Sequence, residues 1–542
     1  MAERAAGGTG PSLGHASIRA LLEARAGELG PAPLVDLPDA SLTYAETDEL
    51  ANRMADVLAG LGYGEGAVVM LKAANGWGAV ATWLACNKLG AVYLPLNALL
   101  TGRPLRTVMA HSRARVLVVA HELVAGVEEI RDGLPDLRHV LVIGGPPRRG
   151  ATARVDDLLE EASSRPPAPL PASPGAPAKL MYTSGTTGVP KGVLWSRHCE
   201  AVWAARYGDE CLPIERGEAL YCCLPLFHVT CQGTLVAALV RGGRVTIDAG
   251  FDPFGFWARL RQVDAVMFTF VGSILSALAR RPAQAGDRDN AVRRILGAAA
   301  PADRWRAIED RFGLRIAETW GQTETASCWS WPGRGLPQTP GTVGVPSDRW
   351  DARIVGDDGR EHGPGRPGEL WMRPRSDHVM FEGYLGEDGP SAPSRESWTD
   401  DGWYRTGDVL AWTDDGELRF IGRRRDAIRK AGEMIAPSFV EEAAVGHPHI
   451  VEAAAVGVPA EDGVDEDVLL CIVAAAGAVL DPVEVSRFLA GALPRHLVPR
   501  WLRVLPELPK TPTTRVRKVA LRELGTAGAW NTRRRRADDA AS

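Results

Sequence analysis

Between Thr43 and Val119 the chain alternates short apolar runs with longer amphipathic ones, a rhythm that few folds can accommodate. Thr43-Tyr44-Ala45-Glu46 has the Ser/Thr-x-x-Glu form of a helix capping box. Behind it Leu50, Met54, Val57, Leu58 and Leu61 recur at helical spacing up to Gly62. Residues 67–71, 91–94 and 115–119 then read as strands, separated by helices over 77–89 and 103–111. Strands alternating with helices argue for an α/β domain on a largely parallel sheet, with phosphate chemistry on loops at the strand ends.

One such loop is Tyr182-Thr183-Ser184-Gly185-Thr186-Thr187-Gly188-Val189-Pro190-Lys191, set between apolar Leu180-Met181-Tyr182 and Gly192-Val193-Leu194. Its hydroxyls, its glycine-permitted backbone N–H groups and its lysine offer a cradle to an anion, and triphosphate suits it. Pro190 and the apolar flanks argue against a flexible Ser/Thr/Gly linker.

Upstream, residues 162–178 form a proline- and alanine-rich connector. Downstream the α/β rhythm resumes, with a helix around 200–207, a strand at 219–224, a helix near 233–240 and a strand at 244–247, continued by 263–270 and 291–299. From about 340 the texture changes to short strands between Gly, Pro and Asp turns, at 341–345, 352–354, 369–372, 408–412 and 417–421, a β-rich subdomain. Beyond Arg423-Arg424-Arg425-Asp426, residues 430–525 read as a small α+β unit: helix 437–446, strands 451–458 and 468–475, helix 482–491 and strand 501–505. No internal repeat is visible.

Composition excludes several classes. A formal net charge of −5 gives no basic footprint for nucleic acid. The first residues lack the apolar core of a secretory signal, and no apolar run reaches the roughly 20 residues of a membrane span. Eight cysteines without a Cys-x-x-Cys pair indicate neither a zinc site nor a disulfide framework, and suggest reduced cytoplasmic thiols. Only seven of the 62 basic residues are lysines, so the positions that keep one carry information; Lys72 and Lys88 read as incidental.

Further stretches, in fixed order, turn the phosphate loop into a family resemblance. They are Leu224-Pro225-Leu226-Phe227-His228, Gly297 to Pro301, Thr319-Trp320-Gly321-Gln322-Thr323-Glu324, Gly368-Glu369-Leu370-Trp371, Trp403-Tyr404-Arg405-Thr406-Gly407-Asp408, Gly422-Arg423 and Lys430-Ala431-Gly432. Together, from about residue 40 to 525, they resemble the adenylate-forming superfamily of acyl-CoA synthetases, luciferases and nonribosomal adenylation domains. The nearest flavour is that of carnitine/crotonobetaine-CoA ligases, on Phe227-His228-Val229-Thr230-Cys231-Gln232 and Gly432-Glu433-Met434-Ile435.

The resemblance implies a large N-terminal region of two α/β subdomains and a β-rich subdomain over 16–422, a hinge at 423–425 and a small mobile α+β domain over 426–526. Residues 1–15 and the arginine-rich 527–542 would be disordered ends. The implied reaction is ATP- and Mg²⁺-dependent conversion of a small organic acid into its adenylate with release of pyrophosphate. Transfer to a thiol, most simply that of CoA, would follow. Charge builds on phosphate oxygens, so fixed cations and N–H donors lower the barrier.

By resemblance, Thr183, Ser184, Thr186, Thr187 and Lys191, with Gly185 and Gly188 between them, hold the β- and γ-phosphates. Thr323 contacts the α-phosphate and Glu324 holds Mg²⁺. Ala298, Ala299, Ala300 and Pro301 pass along the adenine, Trp320 stacks on it, and Thr319, Gly321 and Gln322 complete that segment. Asp408 accepts the ribose hydroxyls, with Arg423 and Ile421 beside it. His228 gates an acid pocket formed with Trp203, Thr230, Cys231, Thr234, Val271 and Gly272. The hinge is Arg425, and its swing brings Lys430, Ala431 and Gly432 to the pantetheine arm.

One departure stands out. Where the family has a C-terminal Gly-Lys pair, this chain has Thr514-Arg515. A guanidinium is a rigid fork rather than a compact point charge, so Arg515, Lys510 and Lys518 all remain candidates for the catalytic cation. The altered pair keeps open an adenylating enzyme with a different acid or acceptor, including one that diazotises an aryl amine with nitrite. A reading of another class, a non-catalytic nucleotide-binding homologue, is opposed by the presence of Lys191, Glu324, Asp408 and Arg423.

Overall fold

The computed structural model describes residues 17–146, 150–171, 173–183, 190–326, 330–331, 338–386, 389–426, 428–430, 433–435, 437–460, 466–495, 497–510 and 516–532. The expected disordered end at 1–15 lies outside them. The chain divides by contacts into two compact units, Met1–Asp351 with Arg373–Gly402 and Ala352–Met372 with Trp403–Ser542. The class is α/β, with a large N-terminal and a small C-terminal part.

The first unit is built on two sheets. Among the described residues one has nine strands, with Val92–Pro95, Val68–Lys72, Val116–Ala120 and His139–Ile143 parallel at its heart. Val68–Lys72 and Val116–Ala120 are nearly continuous runs of Val, Leu and Met, as strands covered on both faces must be. Pro177–Thr183 joins parallel to Val92–Pro95, and Lys191–Ser196 folds back on it antiparallel. The second sheet runs Arg315–Glu318, Arg294–Ala298, Ala265–Val271, Ala219–Cys222, Arg244–Ile247, Pro33–Asp36 and Ser41–Thr43, parallel but for the last pair. Strand ends of these two sheets carry Thr183, Lys191, Ala298 and the segment from Thr319.

Local chemistry sets the helices. The capping box forms: Thr43 Oγ1 accepts from the Glu46 N–H at 3.2 Å, and Glu46 Oε2 accepts from the Thr43 N–H at 2.8 Å, opening the helix Tyr44–Gly60. Trp77–Leu89, apolar almost all round, is buried along most of its length and stops at Gly90 in the left-handed conformation. Among the described residues no helix is long and apolar enough to cross a membrane.

The second unit holds a four-stranded sheet, Trp350–Val355, Gly368–Pro374, Tyr404–Trp412 and Leu418–Arg423, and a sheet of Ile450–Pro459, Glu466–Ala474, Trp501–Val504 and Trp530–Asn531. The helices Pro437–Val445 and Pro482–Ala492 bury Val440, Ala444, Val485 and Leu489 in the core of the latter. The expected hinge at 423–425 falls inside this unit, between its two sheets.

Two expectations need correction. The strand expected at 341–345 shrinks to Val345–Pro346, because Gly341 and Gly344 take positive φ (78° and 83°) and Thr342 turns back onto the Thr339 carbonyl. Part of the segment expected as a disordered tail from 527 is ordered: Trp530–Asn531 pairs antiparallel with Trp501–Val504, and Thr532 Oγ1 donates to the Pro499 carbonyl at 3.0 Å. Residues 533–542 lie outside the described chain.

Candidate active site

Thr183 and Lys191 face each other across the antiparallel pair that closes the phosphate-loop hairpin. Ser184, Gly185, Thr186, Thr187 and Gly188, between them, lie outside the described residues. The preceding Tyr182 is anchored by a 2.7 Å hydrogen bond between its hydroxyl and Nδ1 of His111, and burial pushes its phenol up, so it stays neutral. Lys191 Nζ is ion-paired with Glu396 and lies 4.8 Å from the centroid of the Tyr384 ring. The Tyr384 hydroxyl donates to Glu324 Oε1 at 3.2 Å.

Glu324 sits on a turn in which the Gln322 N–H donates to Thr325 Oγ1 at 2.9 Å. Trp195 Nε1 donates to the Thr323 carbonyl at 2.8 Å, and the Phe381 N–H donates to the Glu324 carbonyl at 3.0 Å. The structure thus gathers Lys191, Thr323 and Glu324, and adds Tyr384, which the sequence pattern does not single out. Among the described residues no cluster of three or more His, Cys, Asp or Glu forms a metal site. A single carboxylate beside a triphosphate is nevertheless a donor set that Mg²⁺ accepts, since it keeps water and phosphate oxygens for the rest. Glu324 fits.

Ala298 and Ala299 are exposed at the end of the strand Arg294–Ala298, and Ala300 and Pro301 follow, the former buried and the latter half-buried. Ala299 takes φ 63°, a strained conformation for a residue with a Cβ. The Glu318 carboxylate holds it there, accepting the Ala299 N–H at 2.7 Å and the Ala300 N–H at 3.1 Å. Glu318 is a second residue that motif reading passes over. Thr319 donates its N–H to the Gly297 carbonyl at 3.0 Å, which sets the Thr319-Trp320-Gly321-Gln322 segment beside this platform. Trp320 is only 5% exposed.

Val271 lies opposite Ala298 in the sheet register, and a Cβ on Gly272 would stand 2.0 Å from the Ala299 carbonyl oxygen. The acid-pocket candidates Val271 and Gly272 therefore abut the adenine-face segment, and only glycine permits the approach. His228 caps the helix Val229–Arg241, its Nδ1 accepting the Thr230 N–H at 3.3 Å, so in the neutral ring the proton is on Nε2. Cys231 and Thr234, on the same helix, are fully buried, and Thr234 Oγ1 donates to the Thr230 carbonyl at 2.9 Å. Trp203 packs in the core, its ring 5.5 Å from Trp195 and 5.3 Å from Tyr207.

In the second unit Asp408, 4% exposed, faces Arg423 across a strand pair, with Oδ1 3.6 Å from Arg423 Nε. Gly407 adopts φ 70°, and its N–H donates to Glu369 Oε1 at 2.9 Å. The other Glu369 oxygen accepts from Arg424 at 3.0 Å, and Arg424 also reaches Asp357 at 2.8 Å. From the opposite side Arg522 donates to the Arg425 carbonyl and to Asp426, both at 3.2 Å. Ile421 has its carbonyl bonded by Ser438 Oγ at 2.8 Å. Lys430 ends the strand Ile428–Lys430, while Ala431, Gly432, Thr514 and Arg515 lie outside the described residues. Lys510 is ion-paired with Glu452 and Lys518 with Glu441, each at 2.7 Å.

A loop closed by a lysine, a carboxylate beside it and a small-residue platform belong to the first unit, and a buried aspartate next to an arginine belongs to the second. Residues 22–385 match the AMP-binding enzyme family, and residues 440–515 match the AMP-binding enzyme C-terminal domain. The chain belongs to that family. It is 33% identical to a sulfoacetate–CoA ligase of Cupriavidus necator over 93% of this chain and 97% of that one. It is 30% identical to an indoleacetate–CoA ligase of Aromatoleum aromaticum over 90% and 94%. The fold is that of an anthranilate CoA ligase solved with anthranoyl-AMP: TM-score 0.82 over 94% of this chain and 97% of that one, at 23% identity. The protein is an AMP-forming acid–thiol ligase of the acyl-CoA synthetase type.

Proposed function

We propose that the protein adenylates a small organic acid with MgATP and then passes the acyl group to CoA, through the residues assigned above. The gathering of Lys191, Tyr384 and Glu324 at the mouth of the phosphate loop is the observation that carries this reading. Lys191 and the loop bind the departing pyrophosphate, and Glu324 would hold Mg²⁺. Bound Mg²⁺ supplies charge neutralisation on the phosphate oxygens. Tyr384 fixes the carboxylate against the lysine, so neither has to reorganise as charge develops.

His228, with Nδ1 engaged by the helix, turns Nε2–H toward the incoming acid and orients its carboxylate. Asp408 and Arg423 form a ribose clamp, and Arg515 supplies the second cation. The pocket residues Val271, exposed, and Gly272, half-buried, are small, and Thr230 adds a hydroxyl, which favours a compact acid. The seven described cysteines are buried thiols, in keeping with a reducing, cytoplasmic setting.

The test is pyrophosphate release from ATP with sulfoacetate, indoleacetate, 3-hydroxybenzoate and a medium-chain fatty acid, each with and without CoA. Acid-dependent release together with a CoA thioester is expected. Release that never depends on an acid refutes the reading, and turnover indifferent to CoA points to another acceptor.

A further inference from the structure

Behind the site lies a buried charge that no step above uses. Lys179, on the strand that leads into the phosphate loop, is fully buried and paired with Glu200, also buried, at 2.6 Å. Its ammonium lies 4.5, 4.7 and 5.2 Å from the ring centroids of Trp203, Trp83 and Trp195. Trp83 Nε1 donates to the same Glu200 oxygen at 2.9 Å. An isolated buried ion pair contributes little net stability against an apolar replacement, so its worth here lies in what it fixes in space.

It fixes Gln232. Lys179 Nζ donates to Gln232 Oε1 at 2.8 Å, which leaves the amide nitrogen only one orientation; Nε2 donates to the Leu226 carbonyl at 2.7 Å. Leu226 lies two residues before His228. The Leu226 N–H is in turn held by Asn75 Oδ1 at 2.7 Å, and Asn75 Nδ2 donates to the Leu224 carbonyl at 3.0 Å. Lys179 and Asn75 come from the nine-stranded sheet or the loop after one of its strands, whereas Leu224, Leu226 and His228 follow a strand of the seven-stranded sheet. The two sheets are thus cross-tied at the residues just ahead of the histidine.

We propose that Lys179, Glu200 and Gln232 form a positioning relay that sets the His228 segment in register with the phosphate loop, so that the acid meets the α-phosphate in line. Lysine suits the place because its compact ammonium sits among three indole rings. This rests on the acid–CoA ligase reading for its kinetic consequence, but not for its geometry.

Two readouts test it, one of which needs no substrate. Gln232→Met removes both hydrogen bonds and no charge. The double variant Lys179→Met with Glu200→Gln removes the charges together and leaves the Gln232 amide unanchored. In each, carbethoxylation of His228 by diethyl pyrocarbonate, followed by peptide mass spectrometry against His121 and His362, is expected to change about threefold or more while the reference histidines stay constant. With whichever of sulfoacetate, indoleacetate or 3-hydroxybenzoate the wild type uses, the acid KM rises about tenfold and the ATP KM moves less than about twofold. Combining all three substitutions adds nothing further, because they act in one chain of bonds.

Unaltered His228 reactivity overturns the proposal, and so does a loss that affects acid and ATP constants alike in step with the melting temperature. If the wild type uses no acid, the ligase reading fails, and His228 reactivity still decides the relay. Gln232→Met carries the test where the double variant does not fold.

Discussion

Tyr384→Phe isolates one hydrogen bond at the phosphate-loop mouth. The phenyl ring stays 4.8 Å from Lys191 Nζ, so the cation–π contact is preserved, and only the hydroxyl donated to Glu324 Oε1 at 3.2 Å is lost. A hydrogen bond to a charged group contributes about 1.5–3 kcal/mol, and the long donor–acceptor distance places this one near the lower end, about 1.5 kcal/mol. That corresponds to roughly a tenfold loss in kcat/KM for ATP. ATP–pyrophosphate exchange at saturating acid and varied ATP measures it, with circular dichroism to confirm the fold. Tyr384→Leu also removes the ring, and with it about 0.5–1 kcal/mol more, so it should fall a further two- to fivefold. If Tyr384→Phe stays within about twofold of wild type while Glu324→Gln loses a hundredfold or more, the hydroxyl does not position the carboxylate and the reasoning fails.

Glu396→Gln frees Lys191 from its ion pair, a half-exposed contact of at most about 1 kcal/mol, so the ATP KM should fall by about two- to fivefold; a rise would show that Glu396 assists ATP instead. Lys72 is 1% exposed, donates to the Ala98 carbonyl at 2.5 Å, and burial pulls its ammonium down to about 8. Because that lies below the unfolded value, the unfolded chain holds more protons between about pH 8 and 10.5, and stability rises across that window. Lys72→Met should therefore raise the melting temperature at pH 7 through a gain of about 2 kcal/mol, after subtracting the lost hydrogen bond, and the gain should shrink as pH climbs toward 10; a lower melting temperature at pH 7 refutes this. Among Arg515→Ala, Lys510→Ala and Lys518→Ala, exchange should collapse in the first alone, since Lys510 and Lys518 are already ion-paired to Glu452 and Glu441. Full exchange in the Arg515 variant would remove it from catalysis.

Much of the fold was written locally. The Thr43–Glu46 box, the apolar helix closed by Gly90 and the Val/Leu strands each depend on neighbours within a turn or two, and periodicity finds such features. The residues that escaped notice act across long separations. Tyr384 reaches Glu324 over 60 positions, and Glu318 clamps a backbone 18 and 19 residues upstream. A local pattern carries no trace of such partners. Glu369 and Trp371 match a motif, yet only folding reveals that Glu369 holds both the Gly407 turn before Asp408 and Arg424 after Arg423. Lys72 and Lys88 read as incidental because a buried lysine looks like any other in sequence. Lys88 is in fact fully enclosed, with Asp48 at 2.6 Å and Glu23 at 3.1 Å.

The disposition of those lysines has a chemical corollary. An acyl-adenylate is a mixed anhydride that acylates any neutral primary amine it meets, whereas a guanidinium stays protonated and inert. Three of the seven lysines are sealed in the interior and three more are clasped by carboxylates. The cations this chain presents to solvent are thus almost wholly arginine, which leaves its activated intermediate few amines to acylate.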